Sequence, residues 1–337
     1  EERIEGILAG QAYLLSLGIT GWQDAWVDPE THAAYVELDR RGGLIGDATG
    51  CLWWERSGGE EQIADFVAKR DTTPAGRYRA TTIKMMLDGV AENHTASMLE
   101  PYRDGDGGIT DNRGIDFIDP DQLPRYVTLL DAAGFQVHMH AIGDRAVRNG
   151  LDAIEAAIEA NGESDRRHHL AHIQVVHPDD VPRFAALGAG ANAQPLWARH
   201  EAQMAVLTIP FLHPDAVDTQ YPWRSLLDAG AHLVMGSDWP VSTPDPLMGI
   251  GTAVARTQPP SWPDPFLPEQ RISMDEAITA YTAGSAWVDH REDRTGRIEV
   301  GYDADLVVID RPLVTADDAF AASVDVTMVQ GAVVYEK

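Results

Sequence analysis

The feature that most constrains the fold is an alternation. Short apolar runs bounded by turn residues recur at 18–25 (GITGWQDA), 45–54, 80–88, 135–141, 168–174, 189–195 and 231–237, and stretches of helical periodicity separate them. Runs this short and this continuously apolar read as strands buried on both faces, the pattern of a parallel sheet. Between them, 120–133 follows Asp119 as a cap and stops at Gly134, 144–161 places Ala146, Val147, Leu151, Ile154 and Ile158 on one face, and 178–187 stops at Gly188. Strand–helix alternation of this length predicts an α/β chain with a parallel sheet, and seven such units point to a (β/α)8 barrel short of one unit. A doubly wound open sheet is the alternative, but no glycine-rich phosphate loop follows any run.

Polar residues stand at the ends of these runs. His140 closes one, His172 another, and Gly236-Ser237-Asp238 closes the last, while Lys84 lies inside 80–87. The C-terminal mouth of a parallel barrel gathers side chains from several strands, which is what a catalytic metal requires. A single buried histidine is more often a hydrogen-bonded core residue than a ligand; two at matching strand ends favour the ligand reading. His138, His168 and His169 keep the core reading. An ammonium inside an apolar strand must be paired, deprotonated or modified, and a salt bridge from Lys84 to Asp88 is the simplest pairing. Asp238 either serves the site or caps the segment before Pro240. Asp144 heads its helix, and Arg145 either meets a carboxylate or meets substrate. Trp197, His200 and Trp239 are candidates for lining the pocket, with loop packing as their ordinary role.

Two long excursions, 91–118 and 196–221, follow predicted strands, and the first contains Asp104-Gly105-Asp106-Gly107-Gly108. On a barrel both would be loops over the active face. A proline-rich loop at 259–268 and a helix at 274–287 follow the last run. The tail then changes character: 296–300, 304–309, 326–330 and 332–335 read as short strands with tight turns, a small β-module. Residues 1–290 are thus expected to form the barrel and 291–337 part of a β domain.

Composition sets outer bounds. The chain of 337 residues is 44% hydrophobic and carries a net charge of -27. A surface this acidic argues against nucleic acid and anionic membrane as partners. No run reaches the roughly 18 apolar residues of a membrane span. Lysine occurs only at Lys69, Lys84 and Lys337, and the single Cys51 excludes an intrachain disulfide framework and suits a reducing cytoplasm. No segment reads as a signal peptide, although the chain opens at Glu1 without a methionine.

The motifs, in order, resemble a known family. Lys84-Met-Met-Leu-Asp88-Gly89, His140-Ala-Ile-Gly143-Asp144-Arg145-Ala146, His172-Ile-Gln, Gln194-Pro195, Gly236-Ser-Asp238-Trp-Pro240 and the tail Gly296-Arg-Ile-Glu-Val-Gly301-Tyr-Asp-Ala304-Asp305-Leu306 look like the amidohydrolase superfamily, in the YtcJ-like branch that includes N-substituted formamide deformylases. The resemblance implies a metal-dependent TIM barrel with a composite β-sandwich built from both chain ends. It makes His140 and His172 metal ligands on the fifth and sixth strands, Lys84 a carboxylated bridging ligand on the fourth, and Asp238 a ligand and proton carrier on the eighth. Two departures stand out. The first-strand His-x-His pair has no counterpart before 18–25, so the first strand and half of the sandwich are expected to be absent from this chain, and Ala171 stands where the branch tends to have glutamate before His172.

The function this implies is hydrolysis of a non-peptide C–N bond, of amide or formamide type, through metal-activated water. Asp238 would move the proton, and His172 would act as ligand and as a polarising group. Zinc, one or two ions, is the default, with iron or manganese fitting the same ligands. The partner is a small-molecule substrate, and a homodimer is allowed. A non-catalytic barrel serving as a binding or scaffold protein is the alternative, and an isomerase or lyase using Lys84 as a free amine is a third.

Overall fold

Every one of the seven runs forms a strand. In the computed structural model, which describes residues 1–257 and 264–337, these are β1 (Gly21–Val27), β2 (Asp47–Trp53), β3 (Tyr78–Met86), β4 (Gln136–Ala141), β5 (His169–His172), β6 (Gly190–Ala193) and β7 (His232–Met235). They pair in chain order, and each neighbouring pair is parallel. Gln23 of β1 donates to Gln136 of β4 at 3.3 Å, three strands away, so the sheet curls around its own interior. Among the described residues no pairing joins β7 to β1. Of the expected proline-rich loop 259–268, residues 259–263 lie outside the described residues.

Strand alternation sorts the side chains into two rows. Ile83, Met85, Val137, Met139, Leu170, Ala191 and Leu233 belong to the main apolar core, where the helices cover the outer face. The inner row is polar. Thr82 and Lys84 of β3, Gln136, His138 and His140 of β4, His169 of β5 and Asn192 of β6 are all buried. The register sets Lys84 beside His138 and His138 beside His169.

The helices follow the sequence with local shifts. Asp144–Asn161 forms as expected. Of the segment 120–133 only Leu123–Ala132 is helical, because the Asp119 carboxylate caps a turn ahead of it by accepting from Asp121 N at 3.0 Å. The 178–187 segment opens with the 3₁₀ turn Pro178–Asp180 before Val181–Ala186, and 274–287 is interrupted by a π turn at Ala280–Gly284. Among the described residues no helix is long and apolar enough to cross a membrane.

The tail forms a separate antiparallel sheet of β8 (Leu306–Ile309), β9 (Val324–Val329) and β10 (Ala332–Glu336), in the order β10-β9-β8. The expected strand at 296–300 does not form. Gly296 turns the chain at φ 85, and Ile298 and Val300 stand 92% and 103% exposed, so no neighbouring strand holds them. Helix Ala316–Ala321, unforeseen in the sequence, links β8 to β9 and is capped reciprocally by Thr315 and Asp318.

Two glycines test this packing in opposite directions. Gly143, the N-cap of helix Asp144–Asn161, lies against the main chain of Ser97, where a methyl group would overlap the Ser97 carbonyl. Gly6, inside helix Glu2–Ser16, has open space around it. In urea unfolding, Gly143→Ala is expected to cost roughly 2 kcal/mol or more, and Gly6→Ala to gain up to about 1 kcal/mol from helix propensity. Equal stabilities for the two variants would contradict the close approach at Ser97.

Candidate metal centre

Lys84 sits near the end of β3 and is 4% exposed. Burial pushes its pKa down to about 8, with the Asp238 carboxylate acting in the opposite sense. The salt bridge to Asp88 offered by the sequence is not formed. Asp88, fully buried at the end of β3, is committed elsewhere: Oδ2 accepts from Ser97 N and Gly143 N, both at 2.9 Å, and Oδ1 accepts from Ile142 N at 3.1 Å. Burial pushes this carboxyl up to about 7, against the pull of those three N–H groups.

At the end of β4, His140 Nε2 lies 3.0 Å from Gly89 O and 3.4 Å from Asp88 Oδ1. Burial, reinforced by Lys84, lowers its pKa to about 3, so the ring is neutral. A carbonyl accepts only from an N–H, which assigns the proton to Nε2 and leaves the Nδ1 lone pair for the site.

His172 ends β5 at φ 75, in the left-handed region that a non-glycine residue rarely adopts. Its backbone N–H donates to Gln194 Oε1 at 2.9 Å, and Gln194 is itself held by Asn192 at 2.9 Å. The ring lies edge-on to His140, centroids 4.5 Å apart, and stacks on Trp197 at 5.3 Å. Burial, then His140 and Lys84, keep it neutral. Its Nδ1 is buried with no hydrogen-bond partner. Asp238, just past β7, is also left-handed at φ 56, and burial raises its pKa while Lys84 opposes the shift. Two of the four candidates therefore sit in uncommon backbone conformations, a clustering associated with functional sites.

A second polar layer lies below. His138 and His169 pack with ring centroids 4.4 Å apart, and Cys51 Sγ approaches His138 Nδ1 at 3.7 Å. Burial keeps both imidazoles neutral and holds the thiol protonated.

Neutral imidazoles, a carboxylate and an amine open to carboxylation are donors of the type a divalent ion takes, and His172 Nδ1 is buried without a hydrogen-bond partner. His, Cys, Asp and Glu alone do not complete the set: among the described residues no three of them converge closely enough to hold a metal. By donor type these residues would suit a metal centre, provided Lys84 supplied a ligand.

The other candidates divide. Arg145 is tied to Asp116 at 3.0 Å and to Ser97 Oγ at 2.7 Å, so its charge serves the first excursion. Trp239 packs on Tyr13 and Gly10 of the first helix and is 43% exposed. His200 meets Phe266 edge-on at 5.0 Å. Asp144 accepts from Leu99 N at 2.8 Å, binding the same excursion to its helix. His168 lies between Val137 N and Asp131, the core role expected of it. Sequence reasoning named Asp88 only as a partner for Lys84 and Gln194 only within a motif, whereas in the fold they sit against His140 and His172. It also missed Trp26 and Trp53, stacked at 4.1 Å on β1 and β2. The adjacency of Asp88 to a strand end was a readable signal; the tryptophan stack had none.

Comparison with known proteins places these observations. The amidohydrolase family pattern matches residues 1–335. Protein LONG AFTER FAR-RED 3 of Arabidopsis thaliana is 34% identical over 326 residues, covering 92% of this chain and 53% of its own length. Putative amidohydrolase YtcJ of Bacillus subtilis (strain 168) is 32% identical over 258 residues, 76% of this chain and 47% of that protein. N-substituted formamide deformylase of Arthrobacter pascens is 25% identical over 342 residues, 96% and 58% respectively. Among solved structures, an uncharacterized metal-dependent hydrolase from Pyrococcus furiosus superposes with a TM-score of 0.72 at 26% identity, covering 89% of this chain and 58% of that one. The chain spans about half the length of the curated relatives it matches. With the family match running through residues 1–335, this chain belongs to the amidohydrolase family.

Proposed function

We propose that this chain forms most of the catalytic barrel of a metal-dependent hydrolase acting on a non-peptide C–N bond of amide or formamide type. The observation that carries the reading is the pair of neutral imidazoles, His140 and His172, 4.5 Å apart beside a buried Lys84, with His172 Nδ1 left without a partner. In the whole protein residues 1–290 would belong to a closed (β/α)8 barrel, with a further strand between β7 and β1, and residues 291–337 to a composite β-sandwich.

A divalent ion, zinc by default with iron or manganese as alternatives, would be held by His140, His172, Asp238 and carboxylated Lys84, and it supplies the Lewis acidity that activates water and polarises the carbonyl. The residues supply the rest. Burial favours the neutral amine of Lys84, the form that adds to carbon dioxide: the Nζ lone pair bonds to the carbon, one N–H proton leaves to solvent, and the amine becomes a carbamate whose anionic oxygen would serve as a ligand. Asp238, with its basicity raised by burial, takes the proton of the attacking water and passes it to the departing nitrogen. His172 polarises the carbonyl from its strained strand end, and Trp197 shields its ring from water. Asp88 and Gln194 act as positioning residues for the two histidines.

The scaffold reading draws on one observation, that no three His, Cys, Asp or Glu side chains among the described residues converge on a metal. Metal analysis of the purified whole protein separates the two readings, since a scaffold holds no stoichiometric metal.

For Asp238, the asparagine variant preserves size and removes basicity. Asp238→Asn is expected to lower turnover of an N-formyl amine by roughly 10²–10⁴ while metal content falls far less, and a folded variant with wild-type turnover would remove the proton-carrier role. Lys84 has a different signature. Lys84→Ala should lose both metal and turnover, and added acetate, which supplies the missing carboxylate, should restore part of each. Rescue by methylamine instead of acetate would show that the free amine is the working form.

A further inference from the structure

The two excursions fold onto each other. Ala91, Ala96, Met98 and Tyr102 of the first share an apolar cluster with Leu212 and Ala216 of the second. Arg103 N donates to Phe211 O at 2.8 Å, and the His94 ring lies 4.4 Å from that of Phe211. An open groove of about 490 Å3 lies between them, lined by Ile209, Pro210, Leu212 and Val217 of the second and by Arg103 and Gly105 of the first. None of Lys84, His140, His172 or Asp238 lines it.

Arg103 is the anomaly of this cleft. Its Nε is buried without a hydrogen-bond partner, and among the described residues its guanidinium meets no carboxylate. The adjacent acid forms no ion pair with it: Asp104 turns Oδ1 to its own loop, accepting from Asp106 N at 3.0 Å and Gly108 N at 2.8 Å. Asp106 and Asp218 also line it, both exposed, so water screens their charges. Acidic residues outnumber basic ones 53 to 26 in this chain, so a half-buried guanidinium without a carboxylate is not for want of acids. The buried Nε is out of a ligand's reach, but the terminal nitrogens are not buried and make no hydrogen bond among the described residues, and the planar fork of arginine matches a carboxylate with two parallel bonds.

We propose that this cleft is a binding site for a small carboxylate with an apolar body, the carboxylate on Arg103 and the body against Ile209, Leu212 and Val217. Such a ligand touches both excursions and ties them together. The assignment does not rest on the hydrolase reading, since no candidate metal ligand borders the cleft.

N-acetyl-L-leucine and its uncharged analogue N-acetyl-L-leucinamide distinguish charge from shape. By titration calorimetry the acid is expected to bind the wild-type protein at least tenfold more tightly than the amide, about 1.4 kcal/mol, and to raise its melting temperature. Arg103→Gln should lose that preference, Arg103→Lys should keep part of it, and His172→Ala should bind the acid as the wild type does. Equal binding of acid and amide to the wild type, or no binding of the acid at millimolar concentration, overturns the proposal without any variant. Unchanged acid binding in Arg103→Gln does the same. If the acid loses affinity in His172→Ala as well, the acid is being held at the metal centre and the cleft assignment fails, whereas loss of turnover alone in that variant bears only on the hydrolase reading.

Discussion

The buried carboxylate of Asp88 joins the parts on which the site depends. Three backbone N–H groups, of Ser97, Ile142 and Gly143, converge on it. They come from the first excursion and from the turn between β4 and the helix Asp144–Asn161, while Asp88 itself extends β3. A carboxylate taken wholly out of water is costly unless its lone pairs are met, and here backbone donors meet them. The same carboxylate lies 3.4 Å from His140 Nε2, so the group that anchors the excursion also orients an imidazole. This explains why Gly143 has no room for a side chain: its main chain is drawn against that of Ser97 by a shared acceptor.

The polar inner row follows from the same economy of contacts. A closed barrel is ordinarily filled by branched apolar side chains, yet here Gln136, His138 and His140 stack along one strand facing Lys84 and His169. Burial keeps each imidazole neutral and pushes Lys84 down to about 8. The outer row bears the folding load, because Val137, Met139 and Leu170 pack against the helices. Stability and chemistry are divided between the two faces of each strand, and inner residues can be polar because outer ones are not.

That division decides what was legible in the sequence. Short runs rich in apolar residues revealed all seven strands of the main sheet, even β1, which is only partly buried. His140, His172, Lys84 and Asp238 were visible as polar interruptions of those runs. Residues 296–300 misled, because Ile298 and Val300 look like strand residues but have no neighbour to pair with. Contacts between distant segments left no mark: the sequence allowed Arg145 either role, and only the fold gives it Asp116. The left-handed backbone at His172 and Asp238 was equally hidden, since neither residue type signals a positive φ at a strand end.

The placement of Asp238 depends on a part of the chain that carries no candidate ligand. Trp239, its neighbour, rests on Gly10 and Tyr13 of helix Glu2–Ser16. The last turn of that helix is held by Thr327 of β9, whose hydroxyl donates to Leu15 O at 2.7 Å. A line of contacts therefore runs from the small antiparallel sheet through the first helix to the loop that presents Asp238. A left-handed residue relaxes to ordinary backbone unless its surroundings hold it. For Asp238 part of that restraint comes from the contact of Trp239 with the first helix, which makes the tail sheet part of what positions the carboxylate rather than an appendage to the barrel.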